Sequence, residues 1–244
     1  MRDLKYVFSK SIKDTALDLK KNGLAFILLC GLVSFLSSLA SVFFASGLIA
    51  NLGYIINYFI QILLLSVLAK IMNNMVVANR IPNRDFKYYL EHYFINIMNT
   101  FFVIYIIELI YQFASYYIIF GVSKLDLTKS RILSVTILFI IEELILGSWF
   151  EAVYVDDVGG LAAIKRALNF IRDNFVPWTL ISVPYLLLKT LSGGYLNGFL
   201  TIPMWARVLT SILMPVFMLL RGKAYLLLSR STKRKRKFMM EYEN

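Results

Sequence analysis

The sequence predicts an all-α polytopic membrane protein. Its expected form is six transmembrane helices with two amphipathic interfacial helices, N-in and C-in. Three observations carry this. The chain is 59% hydrophobic and only 17% charged, outside the range of ordinary soluble domains. No Asp, Glu, Lys or Arg occurs from Asn22 to Ala69, a run of 48 residues, where about 20 apolar residues suffice for one crossing. Finally, 21 of the 26 Lys and Arg fall in alternate inter-span segments, the bias expected of cytoplasmic loops. Blocks such as FFVIYIIELIYQF do not alternate apolar with polar residues, so a β-barrel is not indicated.

The whole chain, 1–244, reads as one membrane domain. Residues 1–23 form the first interfacial helix, with Phe8, Ile12, Ala16 and Leu19 as its apolar stripe among Lys and Asp. Six basic and three acidic residues within 2–21, and the long apolar run that follows, argue against a cleaved signal. The six-span bundle occupies 24–228, with spans over 24–46, 52–74, 93–120, 132–155, 175–193 and 205–228. Ser34, Ser38, Ser41 and Ala45 share one face of span one, with Ser37 beside it, a close-packing seam inside the bundle or across a homo-oligomer. Pro184 and Pro215 should kink spans five and six. The loop SGGYLNGFLTIP (192–203) is apolar enough to dip into the outer leaflet.

Between spans four and five stands DDVGGLAAIKRALNFIRDNF, 156–175. Leu161, Ile164, Leu168, Ile171 and Phe175 recur at helical spacing, with Lys165, Arg166 and Arg172 on other faces. This is the second interfacial helix, 158–174, expected to lie flat with its stripe among acyl chains. Gly159 and Gly160 allow the sharp bend that leads into it. The N-terminal helix repeats the plan at an offset of 152 residues, pairing Ile12–Lys13 with Ile164–Lys165 and Asn22 with Asn174.

The basic segments 2–21, 70–87, 165–172 and 221–237 then lie in the cytoplasm, with five cations outside. Trp149, Tyr154 and Trp178 serve as inner interfacial anchors, and Tyr54, Tyr116, Tyr117 and Trp205 as outer ones. The basic tail, 229–244, carries RSTKRKRK. Anionic lipid is the expected contact of Lys165, Arg166, Arg172, Arg230, Lys233, Arg234, Lys235, Arg236 and Lys237. The net charge of +11 follows from this topology and does not indicate nucleic acid.

Carboxylates inside the spans are the strongest functional signal. Glu108 falls in span three, one turn before Gln112, and Glu142, Glu143 and Glu151 fall in span four. A charge at mid-bilayer costs about 2.5–3.5 kcal/mol on insertion scales, so it faces the bundle, a partner or water. One expectation is an ion, proton or substrate site. The plainer one is structural neutralisation, including by Lys189 or Arg207 turning inward. Nothing points to catalysis, a metal or a cofactor. One class of intramembrane protease carries Glu-Glu-x-x-x-Arg with membrane histidines, but EELILG places Gly147 at the Arg position. The single His, His92, reads as an interfacial hydrogen-bonding residue, and Cys30 has no partner for an internal disulfide.

The run FEAVYVDDVGGLAAIKRALNFIRDNFVPW (150–178), with DLKKNGLAFIL (18–28) and RDFKYYLEHYFIN (84–96), resembles a bacterial and archaeal family of six-helix membrane proteins. That family includes the membrane domain of glycerophosphoryl diester phosphodiesterases and many stand-alone members. The resemblance implies a shared membrane fold in a bacterial or archaeal inner membrane. It carries no phosphodiesterase site here, since the chain has one His. The functional expectation is a non-enzymatic envelope protein acting through lipid or partner contacts. The alternative is a small transporter or permease-like subunit using the intramembrane acids.

Overall fold

A computed structural model describes residues 2–45, 50–80, 86–120, 143–144, 146–192 and 204–242. Seven α-helices and no strand occur among them: α1 (Arg2–Ala45), α2 (Ala50–Val77), α3 (Phe86–Phe120), α4 (Trp149–Asp156), α5 (Leu161–Ser192), α6 (Met204–Arg230) and α7 (Lys233–Tyr242). Among the described residues, four helices are long and apolar enough to cross a membrane: Asp3–Phe44, Gly53–Val77, Leu90–Ile110 and Leu209–Arg230. They correspond to spans one, two, three and six. Residues 132–142 and 145 of span four, residues 193–203 of the loop, and the Tyr116, Tyr117, Trp205 and Arg207 side chains lie outside the described residues.

The surface carries the membrane signal as clearly as the sequence. Leu24 is 80% exposed, and Leu28, Phe35, Val42 and Phe43 on α1 are also bare, as are Phe102 and Ile110 on α3. Apolar surface this continuous is unfavourable in water at about 25 cal/mol per Å² and needs acyl chains around it. Within the bundle, α1 packs along both α2 and α6, α2 on α3, and α5 on α6.

Helix α1 departs from the expected interfacial arrangement. Its 44 residues run through Asn22 and Gly23 as one helix, about 66 Å at 1.5 Å per residue and twice the hydrocarbon thickness. Residues 2–23 therefore prolong the span instead of turning away from it. Ile12, in the expected lipid stripe, is exposed, while Val7, Ser11, Thr15 and Asp18 are buried. Phe26, Cys30, Val33 and Ala40 continue the same buried face. The face seeking the bundle is thus polar below and apolar above, which a search for an apolar stripe misses.

Helix α5 follows the expected plan more closely. Asn174 leaves helical geometry (φ −131°, ψ 24°), and its side-chain amide donates to the Phe170 carbonyl at 3.1 Å. The break separates the amphipathic part from the span. Pro177 falls in the first turn after it, where a missing N–H costs little. The apolar stripe splits between two environments: Ile164 and Ile171 are buried in the protein, while Leu161, Leu168 and Phe175 are exposed. The two Asn of the internal repeat thus differ, since Asn22 lies within an unbroken helix and its amide reaches the Asn79 carbonyl at 3.5 Å.

The turn before α5 requires its glycines. Gly160 has φ +61°, and a Cβ on Gly159 would stand 2.7 Å from the Asn96 Cα. The Gly160 amide donates to Thr100 Oγ1 at 2.8 Å, fastening the turn to α3. His92 and Asp157 meet at 2.5 Å beside it.

Two sequence readings shift. Tyr154 and Trp178 are 1% exposed and form core with Phe170 and Tyr225, so they do not act as interfacial anchors. On span one, Ser37 and Ser41 form the α2 contact, where the Gln61 amide donates to the Ser37 carbonyl at 3.0 Å and to Ser41 Oγ at 3.2 Å. Ser38 turns back to the Ser34 carbonyl at 3.0 Å.

Gly222 lets α6 approach α2 and α4 closely, for a Cβ there would lie 2.5 Å from Val76 Cγ2 and from Tyr154 Oη. Gly222→Val is expected to destabilise the protein by about 1–3 kcal/mol through overpacking. Thermal unfolding in detergent should show the loss, and an unchanged midpoint would refute the close approach.

Candidate functional site

The stretch RGKAY, 221–225 in α6, is buried at all five positions. Two buried cations at this point of α6 need partners, because an ion taken out of water unpaired costs on the order of several kcal/mol. Residues 221 and 225 share one face of the helix and 223 turns to another, so the two cations serve different neighbours.

Arg221 is 4% exposed and faces α4 and α5. Its Nη2 lies 3.2 Å from Glu151 Oε1 and donates to the Gly147 carbonyl. The guanidinium stacks over Tyr185 at 4.2 Å and Trp178 at 4.9 Å from the ring centroids. A planar delocalised cation suits such a cage, since it accepts aromatic faces while its edges donate. Glu143, four residues before Gly147, is held by Lys189 of α5.

Lys223 reaches the opposite way, into the α1–α2 seam. Its Nζ pairs with Asp18 Oδ2 at 2.5 Å and donates to the Val76 carbonyl at 3.0 Å and Asn79 Oδ1 at 2.5 Å. Asn79 stands just past α2 with φ +54°, the left-handed geometry that Asn tolerates at a helix end. Both Asp18 and Lys223 side chains are 7% exposed.

A third set closes the same end of the bundle. Tyr225 Oη and Arg166 Nε both donate to Asp156 Oδ2, at 2.6 and 2.7 Å. That bond raises the Arg166 pKa above its ordinary value. Arg236 of α7 grips Asp3 through two parallel bonds of 2.7 and 3.0 Å, and donates to the Ser231 carbonyl at 2.6 Å. The beginnings of α1 and α5 and the ends of α2, α4 and α6 are thereby joined at one end, and α3 meets them through Thr100 at the Gly160 amide.

The expected acidic cluster resolves into separate situations. Glu143 and Glu151 are ion-paired, as just described. Glu108 is half-buried on α3 and makes no hydrogen bond or ion pair among the described residues. Glu142 and the Gln112 side chain lie outside those residues. No group of three or more His, Cys, Asp or Glu side chains able to hold a metal occurs among the described residues. Of the nine cations expected to meet lipid, Lys165, Arg166, Arg172, Arg230, Lys233, Arg234, Lys235 and Lys237 are exposed, while Arg236 is 1% exposed and held by Asp3.

Arg221, Lys223 and Asp18 were missed as site residues because a count of cytoplasmic charge absorbs them. A signal was available: Arg, Gly and Lys at 221–223 lie directly after the charge-free run Val208–Leu220 and before LLL at 226–228.

Arg221→Met leaves the Glu151 carboxylate buried without its cation and is expected to cost about 3–5 kcal/mol. Adding Glu151→Leu should return most of that stability, because the uncompensated charge goes with it. Unfolding of the two single variants and the double variant in detergent measures the coupling. Additive losses would show that the pair does not interact.

No protein-family model, curated protein or solved structure matches the chain.

Proposed function

We propose that the chain is a non-enzymatic, multi-pass inner-membrane protein of a bacterium or archaeon, acting through contacts with anionic lipid or a protein partner. The chain crosses the bilayer six times with both termini in the cytoplasm. The likeness to the six-helix membrane family belongs to the same proposal. One observation carries the functional reading. Charges inside the bundle are paired with each other, Arg221 with Glu151, Lys223 with Asp18 and Lys189 with Glu143, whereas cations without acids gather at one rim. These paired charges stabilise a fixed arrangement and are not available to a moving ion. Contact between Asp3 near the start and Arg236 near the end supports an even number of crossings. The rim's excess of Lys and Arg supports its cytoplasmic placement.

Glu108 favours the second reading, a transporter-like subunit, since it alone of the described intramembrane acids has no ion pair. The two readings separate in proteoliposomes. Under the leading one, Glu108→Gln and the double variant Glu142→Gln with Glu143→Gln leave ion- and pH-driven flux at the level of protein-free vesicles, as the wild type does. A wild-type flux that these variants abolish, at equal expression, would establish transport instead.

A further inference from the structure

A cavity of about 580 Å³ opens between the amphipathic half of α5 and the elbow joining α6 to α7. Five cations line it, Arg166, Arg230, Lys233, Arg234 and Arg236, against one carboxylate, Asp173. The internal pairings leave a clear excess. Asp173 answers Arg172 at 3.2 Å, Arg166 holds Asp156, and Arg236 holds Asp3. Arg230, Lys233 and Arg234 have no acidic partner among the described residues. Arg166 uses only Nε on Asp156, which leaves its two Nη groups for another acceptor.

The backbone adds to this field. Thr232 caps α7, its Oγ1 accepting the Lys235 amide at 3.2 Å, and Lys233 and Arg234 follow in the first turn. Amides there have no intrahelical acceptor and present partial positive charge. The cavity wall also includes the apolar Phe170 and Leu228. Leu161, Leu168 and Phe175, exposed on the α5 segment that forms one wall, mark the depth at which acyl chains give way to headgroups.

The geometry points to a binding site for a phosphate group, supplied by an anionic phospholipid headgroup or by a soluble phosphate ester. Phosphate fits this lining because several oxygens can accept from Arg forks, a Lys and helix-terminal amides together. A carboxylate has fewer acceptor positions to offer. The inference rests on the proposed lipid-contact function and gives it a defined pocket, where a basic surface alone would attract anions diffusely.

The test uses the full chain in neutral detergent, titrated calorimetrically with a short-chain phosphatidylglycerol, a fatty acid of matched chain length, glycerol 3-phosphate and inorganic phosphate. The wild type is expected to bind the phospholipid saturably and at least about tenfold more tightly than the fatty acid. Arg230→Gln, Lys233→Gln and Arg234→Gln together should weaken phospholipid binding by about 100-fold, roughly fivefold per cation. Lys165→Gln, Lys235→Gln and Lys237→Gln remove equal charge outside the cavity and should shift binding by less than about fivefold. If the cavity triple variant fails to fold, Lys233→Gln alone should still lower affinity by about fivefold and Lys235→Gln should not.

Glycerol 3-phosphate or inorganic phosphate binding as tightly as the lipid, with the same dependence on the cavity cations, would support the phosphate site and assign a soluble source. Equal losses in the two triple variants would overturn the pocket and leave general attraction to anionic lipid standing. A wild type that binds none of the four anionic ligands saturably would overturn the pocket and remove anionic lipid from the proposed function, leaving a protein partner as the contact.

Discussion

The ion pair of Arg221 with Glu151 sets the conditions that neighbouring elements must meet. A guanidinium held within an apolar helix bundle has to receive its counter-charge, its hydrogen-bond acceptors and its covering surface from the protein. Glu151 supplies the first from α4, the Gly147 carbonyl contributes to the second, and Trp178 and Tyr185 of α5 provide the third. Two segments, 147–151 and 178–185, are thereby fixed around α6. Lys223, two residues on, imposes the same demand on α1 and α2. Apolar packing tolerates many rearrangements of similar volume, whereas a buried charge with named partners tolerates few.

Cation placement therefore divides by environment. Arg221, Lys223 and Arg236 are buried and bound by acids from other helices. Arg230, Lys233, Arg234, Lys235 and Lys237, in the same stretch of sequence, are exposed. A single count of basic residues near the end of α6 merges these groups, although one specifies internal architecture and the other a surface field. Asp3 and Asp18 receive two of the buried cations, which explains why the first 23 residues join the bundle.

How much of this was legible in the sequence follows the reach of each signal. The helices matching spans one, two, three and six could be read because long apolar runs have one physical outcome in lipid. The bend at Gly159–Gly160 was also readable, since Gly acts on its own backbone, and the boundary drawn between 158–174 and span five falls at the Asn174 break, although Asn22 in the unbroken α1 shows that Asn alone does not dictate one. Partner choice was not. Whether the polar side of α1 at Ser11, Thr15 and Asp18 faces water or protein depends on Lys223, more than 200 residues away. Likewise, Trp178 and Tyr154 have the composition of interfacial anchors, and only the arrival of Arg221 and Gly222 beside them makes them core. In the candidate site, Glu143 and Glu151 were identifiable as costly residues, but the cations that neutralise them come from α5 and α6.

The unbroken length of α1 has a mechanical consequence. Helix α1 is a rod of about 66 Å whose charge-free stretch, 22–45, occupies its second half; pivoting near residue 34, it moves its N-terminal end by roughly 8 Å for each 10° of tilt. Tilt is the response of an apolar helix to a thinner or thicker membrane. With no hinge at Gly23 to absorb the motion, a change in bilayer thickness acts as a lever stroke on the seam where Asp18 meets Lys223.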